Sequence, residues 1–393
     1  MMEKEIIYIS RACPCEIYDT LKCQTHIAGN KFNLSIIKGL AKFMKVNSLY
    51  TYDQIFKKEQ IYSSDNIDYH LVPYQSKIKR ILYLFKALRS THKRIGNNGI
   101  LIADVLCFSD SLIAMIASKL YKWEKIGIVT DLPEFIGCYI PLNERTFKYR
   151  LSLKVKYFII NNFEYYVFLT EEMSEKIKVT NKKNYIVIEG IADLEQFDNL
   201  NIQKKNQILY AGSLHKEYGI DNLIKAFNKF CQNYPDNSIQ LMIYGTGNYI
   251  DEIIKMSKEN MKIIYGGVVN NKIIIQEELD SILLINPRPL QNCSANCDFT
   301  RYSFPSKNIE YMSSGTPLLA TKLPGMPKKY YSYIYTMETG DVDEIYNSLV
   351  KITSLSKSEL VLKGNSAKNF MLENKNYEIQ GKKILKYFQF IDG

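Results

Sequence analysis

A chain of 393 residues with 46% hydrophobic residues has room for two domains, or for one large α/β body. Its formal net charge is +10, and no apolar run approaches the roughly 20 residues that cross a bilayer, so a membrane-spanning protein is not expected. Eight cysteines are too few for a disulfide scaffold at this length, and their spacing is not that of structural zinc sites, so free thiols are expected.

The N-terminus predicts a first strand rather than a signal peptide, because acidic residues lie where a basic region would be needed. We therefore expect a cytoplasmic protein. Short runs rich in Ile, Val, Leu and Tyr then alternate with helical patterns. The predicted strands are 6–10, 100–105, 126–129, 166–169 and 185–188, and the predicted helices are 34–43, 112–121 and 172–178. Buried strands alternating with helices indicate a doubly wound parallel sheet.

The most basic segment lies between residues 71 and 100, which hold seven cations and no acid: Lys77, Lys79, Arg80, Lys86, Arg89, Lys93 and Arg94. Apolar residues recur among them at helical spacing: Ile78, Ile81, Leu82, Phe85 and Leu88. A basic amphipathic helix binds an anionic membrane surface or faces an anionic substrate. The alternative is a core helix with a solvated basic face. We expect membrane contact through residues 77–94. No recognised nucleic-acid-binding motif accompanies the charge, so nucleic acid is not the expected partner.

A polar, strand-free segment at 193–206 interrupts the pattern and predicts a linker. The pattern restarts with strands at 208–211, 239–244, 262–265, 282–285 and 318–320, and with a helix from Ile220. The predicted class is α/β, with two doubly wound Rossmann-like domains facing a cleft. The expected ranges are 1–192 for the first domain and 207–375 for the second. A helix within 376–393 is expected to cross back to the first domain.

Three loops rich in glycine follow successive strands of the second half. They contain Gly212 with Ser213 and Lys216, Gly245 with Gly247, and Gly266 with Gly267 and Val268. Glycine lets a backbone approach a ligand closely. A tight turn is the better explanation of any one such loop, but three in succession favour a binding site at the carboxyl ends of the strands.

The segment 301–317 predicts a short helix that begins at Ser306 after Pro305 and ends before Gly315. A helix N-terminus carries unpaired N–H groups and partial positive charge, so it suits a phosphate. Lys307 adds a full charge, and Glu310 lies one turn further on, roughly 5 Å along the axis. This pattern indicates a nucleotide-sugar site. A core helix with an ordinary cap is the alternative.

These residues resemble the C-terminal half of glycosyltransferase family 4, notably enzymes of bacterial capsule and surface-polysaccharide assembly. The likeness rests on Ala-Gly-Ser-Leu at 211–214, Asn-Pro-Arg at 286–288, Phe-Pro-Ser-Lys-Asn-Ile-Glu-Tyr-Met at 304–312 and Leu-Pro-Gly-Met-Pro at 323–327. It is looser in the first half, where it rests on the loop 28–30 and on 129–133. The resemblance implies the two-domain GT-B fold and retaining transfer from a nucleotide sugar, expected to be UDP-linked, to a lipid-linked glycan.

The chain departs from the family pattern at two cationic positions, which hold Ser213 and Tyr218, and at the first of two paired glutamates, which is Tyr302. The diphosphate is therefore expected to meet other groups: Lys307, Arg288, Lys216, Arg301 and Ser306. Glu310 would bind the ribose, residues 266–268 the base, and Tyr302 and Ser303 the sugar. No Asp-x-Asp pair stands at a predicted strand end, so neither a metal nor another cofactor is expected.

In the first domain, Gly29 and Asn30 would close over the donor, and Asp131 would lie near the acceptor hydroxyl. A purely structural carboxylate is the alternative for Asp131. Because the family pattern is incomplete, a non-catalytic nucleotide-sugar-binding partner subunit and a nucleotide-sugar epimerase stay open as alternative functions.

Overall fold

The computed structural model describes residues 4–14, 27–51, 60–73, 76–136, 144–179, 181–290 and 299–391. The chain forms two compact units. Unit 1 comprises Met1–Ile191, Tyr302–Phe304 and Tyr377–Gly393, and unit 2 comprises Ala192–Arg301 and Pro305–Asn376.

Each unit is built on one sheet. In unit 1 the strand order is β3-β4-β2-β1-β5-β6-β7-β8. Its strands are β1 Glu5–Ser10, β2 Val46–Tyr50, β3 Gln60–Ser64, β4 Ile67–Leu71, β5 Gly99–Asp104, β6 Glu124–Val129, β7 Tyr165–Phe168 and β8 Tyr185–Val187. In unit 2 the order is β11-β10-β9-β12-β13-β14. Its strands are β9 Gln207–Ser213, β10 Gln240–Thr246, β11 Ile263–Gly267, β12 Leu283–Asn286, β13 Leu318–Thr321 and β14 Tyr335–Met337. Among these strands the β3–β4 pair is antiparallel and the other pairs are parallel.

Helices connect the strands of both sheets. They are α1 Ile27–Ala41, α2 Lys77–Ile95, α3 Phe108–Tyr121, α4 Phe147–Ile160, α5 Met173–Ile177, α6 Ile220–Asn233, α7 Ile250–Glu259, α8 Asn271–Asp280, α9 Ser306–Ser314, α10 Val342–Thr353, α11 Lys357–Asn374 and α12 Tyr377–Tyr387. The prediction of two doubly wound Rossmann-like α/β domains is confirmed. Among the described residues, no helix is both long and apolar enough to cross a membrane.

Two apolar clusters cover the two faces of the unit 1 sheet. One cluster joins residues of α2, α3 and α4 to Ile7, Leu101 and Phe168. The other joins residues of α1 and α12 to Ile6, Ile102 and Val167. Successive side chains of a strand point to opposite faces, so α2, α3 and α4 lie on one side of this sheet and α1 and α12 on the other.

Strand β2 was not predicted, because its sequence Val-Asn-Ser-Leu-Tyr lacks an apolar run. Asn47 and Ser48 are nevertheless buried. The Asn47 amide donates to Glu5 Oε2 at 2.8 Å, and Arg94 donates to Asn47 Oδ1 at 2.9 Å. These bonds satisfy a buried amide in a central strand, which sequence periodicity does not reveal.

The apolar row of α2 does not coincide with its buried face. Ile78 and Leu82 are 72% and 63% exposed, whereas Arg80 is buried with Leu84 and Leu88. Arg80 Nη2 donates to Ser109 Oγ at 2.7 Å and lies 3.2 Å from Asp110 Oδ1. A buried arginine that is paired in this way occupies a core position, so the helix is not simply a core helix with a solvated basic face.

The segment 193–206, predicted as a linker, packs within unit 2. The Gln203 N–H donates to Asp280 Oδ1 at 2.8 Å, and Lys204 Nζ donates to Ser281 O at 2.7 Å. Phe197 is buried against Ile275 and Leu279 of α8. Parts of this segment are thus bonded to, and packed on, α8 and the residue that follows it.

Candidate functional site

Lys307 lies in the first turn of α9, which begins at Ser306 as predicted. Its ammonium nitrogen is 4.2 Å from the centre of the Tyr210 ring. Burial lowers the pKa of Lys307 to about 8, while the nearby Glu310 carboxylate acts in the opposite direction. The ammonium has lost its water but lies on an aromatic face, so an anion that binds beside it would stabilise its charged form.

Gly212 leaves the room that this ammonium occupies. A Cβ atom at position 212 would lie 2.0 Å from Lys307 Nζ. Lys307 is therefore held at the carboxyl end of β9. Glycine is needed at position 212 because any side chain there would clash with Lys307, and not only because the chain turns.

Two side-chain contacts fix α9 at this edge of the sheet. The Ala211 N–H donates to Tyr311 Oη at 2.8 Å. The Asn286 amide, at the end of β12, donates to Asn308 Oδ1 at 2.6 Å, and both amides are buried. Helix α9 is thus tied to the ends of β9 and β12 by side chains whose contacts the sequence did not predict. The sequence feature that could have identified Asn286 is a polar amide at the last position of an apolar strand.

This position is the switch point of the unit 2 sheet. From β9 the strand order runs to β10 and β11 on one side and to β12 and β13 on the other. Ligands of open α/β sheets bind beyond the carboxyl ends of the strands at such a point. Gly212 pairs with Gly245, and Tyr244 pairs with Gly267. The structure therefore brings the three glycine loops together on one edge.

The second and third glycine loops differ in how much space they leave for a ligand beside the backbone. A Cβ at Gly247 would lie 2.2 Å from Leu214 O, and one at Gly266 would lie 2.1 Å from the Tyr244 ring. These two glycines serve loop packing. Gly267 has a φ of +76° and nothing within 4 Å of its Cβ position, and Val268 is 72% exposed. The open backbone for a ligand is thus at Gly267 and Val268.

The other predicted cations are spread around this edge. The Arg288 guanidinium lies 5.0 Å from the Tyr218 ring and 4.8 Å from the Phe299 ring, and Lys216 Nζ lies 5.4 Å from the Tyr249 ring. Three further predicted residues are exposed: Ser213, Arg301 and Ser306.

Tyr302 and Ser303 belong to unit 1 rather than unit 2. Tyr302 is only 4% exposed and packs in the unit 1 core. Its ring stacks on Phe135 with centroids 6.0 Å apart, and Lys176 Nζ lies 5.3 Å from it. The Tyr302 ring is thus occupied by core contacts, whereas the sequence predicted a contact to the sugar.

In unit 1, Gly29 and Asn30 lie in the first turn of α1, and the prediction of a loop there is wrong. The Asn33 amide donates to Gly29 O at 3.0 Å and to Asp104 Oδ2 at 3.2 Å. The Tyr8 hydroxyl donates to Asn33 Oδ1 at 2.6 Å. The start of α1 is therefore tied to the end of β5 through one buried amide.

Sequence reasoning missed Asp104, which lies at the switch point between β1 and β5. Burial raises its pKa, although the Leu106 N–H and the Asn33 amide stabilise its charged form. The sequence feature that could have identified Asp104 is an acidic residue at the end of an otherwise apolar strand. The predicted Asp131 lies two positions beyond the end of β6 and is partly exposed.

Gly29→Ala tests whether the start of α1 approaches a ligand. Nothing lies within 4 Å of its Cβ position, and alanine favours the helix by about 0.5–1 kcal/mol over glycine, so the melting temperature should rise. If the backbone closes over a donor, activity should fall although stability rises. Unchanged activity would remove Gly29 from the donor site.

Among the residues that the structure describes, no cluster of three or more His, Cys, Asp or Glu side chains could hold a metal ion. Cys107 and Cys231 are free thiols. Three cysteines that lie close to another in the sequence, Cys15, Cys293 and Cys297, fall outside the described residues.

Comparison with known proteins matches residues 192–369 to the family described as Glycosyl transferases group 1. The uncharacterized glycosyltransferase MJ1069 of Methanocaldococcus jannaschii is 23% identical over 300 residues, which is 72% of each chain. Among solved structures, sucrose-phosphate synthase from Thermosynechococcus elongatus has a TM-score of 0.67 at 13% identity, covering 98% of each chain. The E. coli trehalose-6-phosphate protein bound with UDP-2-fluoro glucose has a TM-score of 0.67 at 10% identity, covering 99% of each chain. These structural likenesses establish the GT-B fold.

Proposed function

From the glycosyl transferases group 1 domain that this chain carries at residues 192–369, we propose a retaining glycosyltransferase that uses a nucleotide-diphosphate sugar, UDP-linked in our expectation. The observation that carries this proposal is the Lys307 ammonium, which lies against Gly212 at the switch point of the unit 2 sheet. It stands in the first turn of α9 with Glu310 three residues further on.

Departure of a nucleoside diphosphate leaves negative charge on its phosphates and positive charge on the sugar. Preorganised cations and dipoles that meet such charge usually lower the activation barrier more than any other single effect. Lys307, Arg288 and the α9 N-terminus at Ser306 would meet the diphosphate. Glu310 would accept hydrogen bonds from the ribose, and the backbone at Gly267 and Val268 would meet the base.

Two fold neighbours support retention and the UDP donor. One is the E. coli protein bound with UDP-2-fluoro glucose. Another is a trehalose-6-phosphate synthase studied for glycosyl transfer with retention, with a TM-score of 0.64 at 9% identity and coverage of 99% of each chain. We further propose that no metal takes part, because cationic side chains are available for the diphosphate.

The acceptor in this proposal is a lipid-linked glycan of bacterial surface-polysaccharide synthesis, and unit 1 would bind it. Gly29 and Asn30 stand at the α1 N-terminus near the Asp104 network, and Asp131 follows the neighbouring strand β6. Asp131 is proposed to orient the acceptor hydroxyl.

The direct test incubates the protein with a panel of UDP-sugars and a polyprenyl-diphosphate glycan, and follows UDP and product. Transfer with UDP release and a retained anomeric configuration supports the proposal. An isomerised donor would indicate an epimerase, and binding without turnover would indicate a non-catalytic subunit. The same assay in EDTA tests metal independence, because a strict need for Mg²⁺ or Mn²⁺ would contradict it.

Glu310→Ala should raise the donor KM or lower kcat/KM by about 10- to 100-fold, since hydrogen bonds to a charged group contribute roughly 1.5–3 kcal/mol. The fold should persist because Glu310 is only partly buried. Glu259→Ala, at an exposed position that ends α7, is the matched control and should behave as wild type. Near-wild-type kinetics of a folded Glu310→Ala variant would remove this residue from the site.

We also propose that α2 contacts the membrane. The surface involved is the set of its side chains that are exposed in the structure. Six cations of this helix are exposed: Lys77, Lys79, Lys86, Arg89, Lys93 and Arg94. Arg94 is paired with Glu5, and the first four lie along the helix with the exposed Ile78 and Leu82. Arg80 is excluded because its guanidinium is buried against Asp110.

Changing Lys77, Lys79, Lys86 and Arg89 to Glu should abolish sedimentation with anionic liposomes, because each cation near the surface contributes about 1 kcal/mol. Wild type should ignore neutral liposomes and dissociate as salt rises. Transfer to a short water-soluble acceptor should persist in the variant. Equal binding of wild type to neutral liposomes would leave α2 as an ordinary solvated helix.

A further inference from the structure

The outer faces of α3 and α4 carry apolar stripes that sequence reasoning did not identify. On α4, four apolar residues at helical spacing are exposed by 82%, 52%, 52% and 61%: Phe147, Leu151, Val155 and Phe158. On α3, three more are exposed by 39%, 49% and 60%: Leu112, Ile116 and Leu120. Positions four apart form one line on a helix, so each set is a continuous stripe.

These stripes lie on the same side of unit 1. Helix α3 packs against both α2 and α4, and the buried residues of all three helices join one cluster on one face of the sheet. Lys156 Nζ lies 4.9 Å from the Phe108 ring, which joins α4 to the start of α3. The exposed residues of the three helices therefore point away from the sheet on its same side.

The exposed charged side chains of α2, α3 and α4 are all positive. Neither α2 nor α4 contains an acid, and Asp110, the one acid of α3, is buried beside Arg80. Cations on α3 and α4 that are exposed next to the stripes are Lys119, Lys148, Arg150 and Lys154. An exposed apolar surface rimmed by cations is complementary to anionic headgroups above an apolar interior.

We propose that the α3 and α4 stripes insert into the headgroup region of an anionic bilayer, with the flanking cations on the lipid phosphates. The proposal extends the membrane partner of the proposed function to two helices for which the sequence predicted no membrane contact, and it rests on that function only for the choice of a lipid-linked acceptor. A second copy of this chain fits less well, because a two-fold contact would oppose these cations to one another.

The test replaces the α4 stripe without changing charge, by Phe147→Gln, Leu151→Gln, Val155→Gln and Phe158→Gln. All four side chains are at least half exposed, so the variant should fold, which its circular dichroism and melting temperature will check. Binding to vesicles of phosphatidylcholine with phosphatidylglycerol should weaken on the order of tenfold or more, since apolar insertion scales with buried area.

The matched control is Val361→Gln, Leu362→Gln and Leu372→Gln on α11, where apolar residues are 52%, 72% and 53% exposed on a helix that contains Glu359 and Glu373. Its vesicle binding should equal that of wild type. In the Leu151→Trp variant, vesicles should shift the new fluorescence to the blue, whereas the native Trp123 is buried and should not respond.

Unchanged vesicle binding by the α4 variant would overturn the inference, and so would a wild-type dimer that the variant dissociates. Donor turnover with a water-soluble acceptor is measured in parallel. If turnover persists while the stripe proves irrelevant, the inference alone fails. If wild type never turns over any donor, the proposed function fails whatever the vesicles show.

Discussion

Lys307→Ala is expected to lower kcat by about 10²- to 10³-fold while the binding of uncharged nucleoside is little changed. The ammonium lies on the Tyr210 ring beside Gly212, and the charge it would meet grows as the diphosphate leaves. A preorganised charge of this kind acts mainly in the transition state. Single-turnover rates and uridine affinity measured on the same preparations separate the two effects.

The pH profile gives a second readout. Because burial lowers the pKa of Lys307 to about 8, the free enzyme loses this charge above that pH, and kcat/KM should fall there. The variant should lack this alkaline decline. Lys363→Ala is the matched control, since burial also lowers the pKa of Lys363, whose ammonium donates to Ser332 O at 2.9 Å. A Lys307→Ala variant with lost uridine affinity and intact kcat would contradict the phosphate assignment.

Gly245→Ala is expected to destabilise the protein by about 2–5 kcal/mol, from overpacking and backbone strain combined. A Cβ there would lie 1.8 Å from Gly212 O, a backbone atom that cannot move without shifting β9. Its φ of +134° is also one that other residues rarely adopt. Urea titration should give a lower midpoint with an unchanged slope.

Gly267→Ala separates strain from crowding. Gly267 also has a positive φ, +76°, but nothing lies within 4 Å of its Cβ position, so the cost should be only about 1–2 kcal/mol. Equal destabilisation by the two substitutions would show that the Gly212–Gly245 contact is not the cause.

The helix at Ser306 and the glycine loops were predictable, because their determinants are local. Pro305 precedes the helix, Gly315 ends it with a φ of +80°, and glycine marks each strand end. The glycine loops were expected to lie close together because the carboxyl ends of parallel strands meet at one edge of the sheet. The steric reason for Gly212 was not predictable, since Lys307 approaches it from a distant part of the sequence.

Buried polar groups account for much of what was missed. Arg80 is buried on α2, and Asp104 is partly buried at the end of β5, but a hydrophobicity pattern assigns both to the surface. Such groups are buried because partners elsewhere in the chain satisfy them. Tyr302 was placed at the sugar because of its family position, whereas its ring packs on Phe135 in unit 1.

The crossing of α1 and α12 has a consequence for synthesis. A Cβ at Gly39 would lie 2.0 Å from Tyr377 O, and one at Gly381 would lie 2.3 Å from the Gly39 carbonyl carbon, so the two helices meet backbone to backbone. One face of the unit 1 sheet is completed only by Ile384 and Leu385, which leave the ribosome after all of unit 2. Unit 1 therefore cannot finish folding until unit 2 has been synthesised, and meanwhile only α1 covers this apolar face of its sheet. Nascent-chain stalling before Tyr377 should leave unit 1 sensitive to protease while unit 2 is already resistant.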